Sequence, residues 1–291
     1  TNFPSYNPGG GAYFDGSYNG NTDALLMKLD SNQQLIWATY MGGNGNDFGN
    51  SVTKSKDGSI YVTGGAENGF PVVSLNGAYN QPAAVLQDIF LARFTETLAL
   101  QWSTFYGGAG IDEGLKVHTD KVGQVYVTGH TNSPGASFQV QQQNNGYVSS
   151  TAIGNEGFIL KFDNTGARKW ATLYGGAGDD YVTSATTDSV GMLVVAGFTT
   201  SGNLPVLNSG SGTYYQPTSS GGTDGFIARF NNSTTFNNST YIGGAGNDYI
   251  NDVTTGLAGE YLFTGRTSSS NFPIVALPGF SYNQATLAGS Y

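Results

Sequence analysis

An all-β array of four-stranded units is predicted by three observations. The phrase Gly-Gly-x-Gly-x-Asp recurs four times, at 42–47, 107–112, 175–180 and 243–248, with spacings of 65, 68 and 68 residues. A period that long is one whole supersecondary unit repeated. The register around the phrase is fixed. A glycine follows its first residue by 22 positions (Gly64, Gly129, Gly197, Gly265), and an acid precedes it by 19 (Asp23, Asp88, Glu156, Asp224). A base follows each acid by five (Lys28, Arg93, Lys161, Arg229). Finally, no stretch carries a sustained apolar period of about 3.6 residues. The apolar runs are β-branched and aromatic and are bounded by Gly, Asn, Asp and Ser, the hairpin pattern.

Each repeat therefore supplies two hairpins. One set, C–D, is expected near residues 23–41, 88–106, 156–174 and 224–242; the other, A–B, near 50–65, 115–130, 182–198 and 250–266. Strand A follows the GGxGxD turn (50–54, 115–118, 182–185, 250–254) and is expected to be innermost. Strand B is expected to end in the constant glycine. Strand C begins at the recurring acid. Strand D carries Trp37, Trp102 and Trp170, with Asn238 at the fourth equivalent place. Four antiparallel strands per repeat is the build of a propeller blade. Residues 1–291 thus read as one β-propeller array of four ~68-residue repeats. The chain opens with a C–D pair and closes with an A–B pair, so the halves either complete a fourth blade by closing the ring or mark a segment of a larger ring. Thr1-Asn2-Phe3-Pro4 repeats the Ser270-Asn271-Phe272-Pro273 that follows the last strand B, and the segment is the favoured reading because terminal repeats of complete arrays usually look atypical.

The phrases DIFLARF, LQWSTFYGGAGID and GQVYVTGHT, and DGFIARF, STYIGGAGND and GEYLFTGRT, resemble the bacterial SBBP repeat, the seven-bladed β-propeller repeat family. The likeness covers the 42 constant residues of all four copies. It implies a β-propeller in a large secreted or cell-surface bacterial protein. It implies no shared activity, since function lives in sites grafted on folds.

Composition narrows the classes. The chain has 291 residues, 44 glycines, 18 tyrosines and no cysteine, which excludes disulfides and thiolate metal sites. A net charge of −9 argues against nucleic acid and anionic membrane surfaces, both of which require cationic patches. No apolar run approaches the ~20 residues of a membrane span.

Strand alternation places the D→A turn and the long B→C linkers on one face. The linkers (66–87, 131–155, 199–223 and 267–291) are rich in Tyr, Asn and Gln. Tyrosine supplies rigid contact area and Asn and Gln adaptable hydrogen bonds. The candidate binding-face residues are Tyr79, Asn80, Gln81, Tyr147, Tyr214, Tyr215, Gln216, Tyr282, Asn283 and Gln284. The competing reading lays these tyrosines over the blade flanks, where they only exclude water.

GGxGxD also matches the start of the calcium nonapeptide. Here the copies stand over 60 residues apart, so the turn reading is favoured: glycines for a sharp bend, and Asp47, Asp112, Asp180 and Asp248 capping backbone amides. Calcium stays open because Asp23, Asp88, Glu156 and Asp224 begin strand C at the same rim, and carboxylates with carbonyls suit a hard cation. No other cofactor is indicated. His118 and His130 do not recur, and HExxH, GxSxG and P-loop patterns are missing. A catalytic pair should break the symmetry of the repeat, which singles out Glu67 and Glu113. The expectation is a non-enzymatic extracellular module of a bacterial surface adhesin or large secreted protein. It would contact a glycan, a protein surface or further repeats of the same polypeptide. A carboxylate-based polysaccharide hydrolase or lyase and a ligand-free scaffold are the alternatives.

Overall fold

The computed structural model describes residues 3–256 and 259–275; Tyr282, Asn283 and Gln284 lie outside the described residues. Among the described residues sixteen strands run in chain order: β1 (Ala24–Leu29), β2 (Leu35–Met41), β3 (Asp47–Lys54), β4 (Ile60–Ala66), β5 (Asp88–Phe94), β6 (Leu100–Tyr106), β7 (Asp112–Thr119), β8 (Val125–Thr131), β9 (Glu156–Phe162), β10 (Arg168–Tyr174), β11 (Asp180–Thr187), β12 (Leu193–Thr199), β13 (Asp224–Phe230), β14 (Phe236–Ile242), β15 (Asp248–Thr255) and β16 (Tyr261–Thr267). The one helical element among the described residues is a 3-10 turn at Gly135–Ser137.

Three complete antiparallel blades form: β3-β4-β5-β6, β7-β8-β9-β10 and β11-β12-β13-β14. Each is A-B-C-D in sequence order. The two half-blades, β1-β2 (C–D) and β15-β16 (A–B), are separate two-stranded sheets, so no closed ring exists among the described residues. The A strands neighbour one another from blade to blade (β3 on β7, β7 on β11, β11 on β15). Boundaries differ from expectation in one consistent way. Strand A starts at the Asp of the turn, and strand B runs two residues past the constant glycine. The reason is the pairing at that rim, where Asp112 faces Thr131 and Asp180 faces Thr199.

The constant glycine faces a β-bulge. Register shifts interrupt strand A between Gly49 and Ser51, Gly114 and Lys116, Val182 and Ser184, and Ile250 and Asp252. The bulge turns one carbonyl inward, and a methyl group on Gly129 would collide with Glu113 O and press on the Phe158 ring. Gly129→Ala should destabilise the protein by about 3 kcal/mol, the upper range for overpacking. Thermal melting checks this, and an unchanged melting temperature would contradict the bulge.

The cores lie between blades. Trp37, Trp102 and Trp170 are 3%, 0% and 0% exposed. Each packs edge-on against the last Phe of strand C in the next blade: Trp37 on Phe94 at 5.8 Å, Trp102 on Phe162 at 5.9 Å and Trp170 on Phe230 at 5.3 Å. At Asn238 a groove of about 380 Å³ opens instead, lined by Ile227, Ile242, Phe263 and Phe272 among others. The bases on strand C also tie blades together. Arg93 Nη1 donates to Asn164 O at 2.6 Å, and Lys161 Nζ donates to Asn232 O at 3.0 Å, each on the C–D turn of the following blade.

Candidate functional site: the linker face

The B→C linkers return over the interblade seams before entering strand C. Trp37 Nε1 donates to Tyr13 O at 2.8 Å, Trp102 Nε1 to Tyr79 O at 3.0 Å, and Trp170 Nε1 to Tyr147 O at 2.7 Å. The same tyrosines donate their backbone N–H to the next blade's C–D turn, at Leu98 O, Gly166 O and Thr234 O. Tyr79 packs against Tyr106 and Phe162 and lies under the Arg168 guanidinium, 4.8 Å from its ring centroid. Tyr147 packs against Phe230 and Phe236. Tyr79 and Tyr147 are thus half-buried seam residues. Among the other binding-face candidates Asn80 and Tyr214 are exposed, and Tyr215, Gln81 and Gln216 are half-buried.

Gln81 and Gln216 brace the GGxGxD turns. Gln81 Oε1 accepts from the amide of Gly107, and its Nε2 donates to Asp88 Oδ2 at 2.6 Å. Gln216 Oε1 accepts from the amide of Gly243 and from Tyr214 Oη. The turn acids behave alike in every copy. Asp47, Asp112, Asp180 and Asp248 each accept the second glycine's N–H through Oδ2 at 2.7 Å. Ser133, Ser201 and Ser269 donate their hydroxyls to the last three of these. In the first copy the amide of Glu67 donates to Asp47 Oδ1 instead. A carboxylate so placed holds the sharp bend between blades.

The strand-C acids converge on the same turns. A methyl group on Gly107 would lie 2.5 Å from Asp112 Oδ2 and 2.7 Å from Asp88 Oδ1, and on Gly42 2.7 Å from Asp23 Oδ1 and 2.8 Å from Asp47 Oδ2. Glu156 and Asp180 flank Gly175, and Asp224 and Asp248 flank Gly243, in the same way. Each blade thus buries a carboxyl pair against its first glycine. The facing strand-C oxygens (Asp23 Oδ1, Asp88 Oδ1, Glu156 Oε2, Asp224 Oδ1) are buried with no hydrogen-bond donor. Burial, and then the Asp112 charge, pushes Asp88 up to about 7. Burial does most to push Glu156 up to about 8, with Asp180 and Asp179 adding to it. Burial beside a second carboxylate thus favours the protonated form of Asp88 and of Glu156.

No three His, Asp or Glu side chains converge as a cation cage among the described residues. Added millimolar calcium should therefore leave the melting temperature of metal-free protein unchanged. A ligand binding only the folded state at a hundred times its Kd would add about 2.7 kcal/mol. A rise of several degrees, abolished by Asp180→Asn, would make these turns metal sites.

The most open part of the linker face spans the first two complete blades. Two hollows of about 500 and 450 Å³ share Val85. The first is lined by Asn44, Glu67, Asn68, Leu86, Gln87 and Ile111, the second by Tyr79, Asn80, Gln81, Ser137 and Gln139 among others. Side-chain amides and hydroxyls line both, with exposed Val85, Leu86 and Ile111 between them. Glu67 is the one acid of this groove and is held by Asn46 Nδ2 at 2.9 Å. Glu113 lies on β7 and accepts from Asn50 Nδ2 at 2.8 Å. The histidines hold structural contacts. His118 Nε2 meets Thr187 Oγ1 at 2.9 Å, and burial lowers the His118 pKa to about 4. His130 packs on the Tyr181 ring.

Comparison with known proteins agrees with this architecture. The regulatory protein FlaEY of Caulobacter vibrioides is 28% identical over 114 residues, covering 39% of this chain and 12% of that protein. The chain therefore spans only a small part of that relative's length. The family model described as a β-propeller repeat, SBBP, matches residues 36–71. That stretch runs from strand D through the first GGxGxD turn and the A–B hairpin, and in it the chain carries an SBBP-type β-propeller repeat.

Proposed function

We propose that the chain is a non-catalytic binding and structural module of an extracellular or cell-surface bacterial protein, and that the groove around Val85 takes a neutral glycan. The observation that carries this reading is a nearly uncharged groove in which side-chain amides alternate with exposed apolar side chains, set on two neighbouring blades. Sugar hydroxyls need many fixed donors and acceptors, and sugar C–H faces need apolar contact. Asn80, Gln87 and Gln139 provide the first, and Val85, Leu86 and Ile111 the second. Hydrolysis is disfavoured because the buried carboxyl pairs are repeated in every blade and engaged in turn geometry. A glycosidase instead needs one pair at the scissile bond, about 5–10 Å apart.

The test is titration against a panel of neutral oligosaccharides. At least one should bind and be recovered intact. Asn80→Ala and Val85→Asp, both at exposed positions, should each weaken it about tenfold, the loss of roughly 1.4 kcal/mol. Cleavage of the sugar, or no binding across the panel, would overturn the reading.

A further inference from the structure

The turns on the face opposite the linkers frame a further hollow, and we propose that it binds a small carboxylate with an apolar body, held through the ammonium of Lys161. The hollow measures about 420 Å³ and lies between the second and third complete blades. Small-molecule sites usually measure about 300–1,000 Å³. Its walls are the A–B turns 120–124 and 188–191, the side chains of Tyr126, Lys161 and Thr187, and Asn232 on the C–D turn of the third blade.

The first observation is an unmatched charge. Lys161 is 4% exposed and lies over the Tyr126 ring, 5.7 Å from its centroid. Its Nζ donates to Asn232 O at 3.0 Å, the one acceptor it has among the described residues. An ammonium has three N–H groups to place, and a buried cation without a counter-charge is costly. Ion pairs among the described residues engage Lys54, Arg93, Lys116, Lys169 and Arg229, and Lys161 enters none of them.

The second is a departure from the repeat. In the first complete blade the equivalent Arg93 lies over Tyr61 at 5.9 Å and donates to Asn164 O. It also donates to Ser59 Oγ, and it pairs with Asp57 Oδ2 at 3.5 Å. In the third blade Arg229 faces Asp188 Oδ2 at 3.8 Å. The second blade carries Val122 where the first has Asp57, and Gln124 where it has Ser59. The counter-charge is gone, and the shorter base leaves its end of the seam open.

The acids that line the hollow are already engaged. Asp120 Oδ1 accepts the amides of Val122 and Gln124, and Asp188 Oδ1 those of Val190 and Met192. Tyr261 Oη donates to Asp188 Oδ2. Burial lowers the Lys161 pKa while the Asp120 charge opposes it, and a bound carboxylate would oppose it further. Exposed Lys121 adds a second positive charge. The third observation is apolar. Val122 and Val190, 77% and 75% exposed, stand at turn positions that usually take polar residues. With the Tyr126 ring they give the hollow apolar walls for the body of the ligand.

Calorimetric titration of the full chain with isovalerate and benzoate, each compared with its neutral amide, tests the proposal. At least one acid should bind with a Kd of about 1 mM or tighter, and its amide about tenfold or more weakly. Val122→Asp, at an exposed position, supplies the carboxylate that Asp57 provides in the first blade. It should weaken acid binding about tenfold or more without lowering the melting temperature. Lys161→Met should abolish binding; should that chain not fold, Val122→Asp decides. Asn80→Ala, on the opposite face, should leave binding unchanged. No binding of either acid, equal binding of acid and amide, an unaffected Val122→Asp or a loss in Asn80→Ala overturns the proposal.

Discussion

Replacing Trp102 with alanine is expected to cost about 3–5 kcal/mol, the usual range for emptying a fully buried aromatic site. The indole is the central piece of the seam between the first two complete blades. It packs edge-on against Phe162 of the next blade and donates to Tyr79 O at 3.0 Å. Its loss leaves a cavity beside Phe162 and takes the indole donor from the part-buried Tyr79 carbonyl, and the two penalties add. The neighbouring seam at Trp170 should survive. Trp102→Phe should recover part of the loss through ring packing but not the hydrogen bond. Denaturant unfolding with fluorescence from the remaining tryptophans measures both, and a Trp102→Ala cost below 1 kcal/mol would show that the seams do not hold the array together.

The carboxyl pairs lead to the second large effect, a stability that falls as pH rises. Asp88 and Glu156 are raised to about 7 and 8 in the fold, from ordinary values of 3.8 and 4.5. Burial also raises Asp47, Asp112, Asp180 and Asp224. A raised acid binds its proton more tightly in the folded state than in the unfolded chain. That stabilisation is complete below the unfolded pKa and is lost as pH rises through the folded pKa. At the acid end, Asp57, Asp163 and Asp252 are lowered by hydrogen bonds and cationic neighbours although burial opposes this, and they act with the opposite sign. The melting temperature should therefore peak near pH 4–5 and fall between pH 6 and 9 by about 4 °C or more, equivalent to one or two kcal/mol in a chain of this size. Asp88→Asn with Glu156→Gln should flatten that limb and raise stability at pH 8. A wild-type profile that is flat from pH 5 to 9 would mean that Asp88 and Glu156 bind their protons no more tightly in the fold than in the unfolded chain.

The repeat made the blades legible before any coordinates. The acid, the tryptophan, the GGxGxD phrase and the constant glycine fall at fixed offsets, and such offsets survive only when every copy occupies the same environment. Strand limits were less legible. Asp112 and Thr131 look like turn residues by type, yet they pair across the rim because the carboxylate and hydroxyl satisfy each other. The bulge opposite Gly129 leaves no mark on strand A itself; the glycine is its only trace. The role of Ser133, Ser201 and Ser269 was present as a Thr-x-Ser recurring two residues past each glycine, which the first copy breaks with Ala66 and Asn68. Tyrosine composition pointed to a contact surface, but composition cannot say whether a ring faces solvent or a neighbouring blade. Tyr79 and Tyr147 face the seam because Trp102 and Trp170 need their carbonyls. The groove around Val85 was not visible, since it arises where two linkers and two turns from different repeats meet.

The central claim is that each blade is four consecutive strands in the order A-B-C-D, sealed to the next through strand D and the returning linker. Hydrogen exchange resolved to short peptides tests it most directly. The account predicts slowest exchange in the strands paired on both sides: β4 and β5, β8 and β9, β12 and β13. The exposed linker stretch 208–213 and the A–B turns should exchange far faster. Fast exchange throughout β8 and β9, the middle of the central blade, would contradict it.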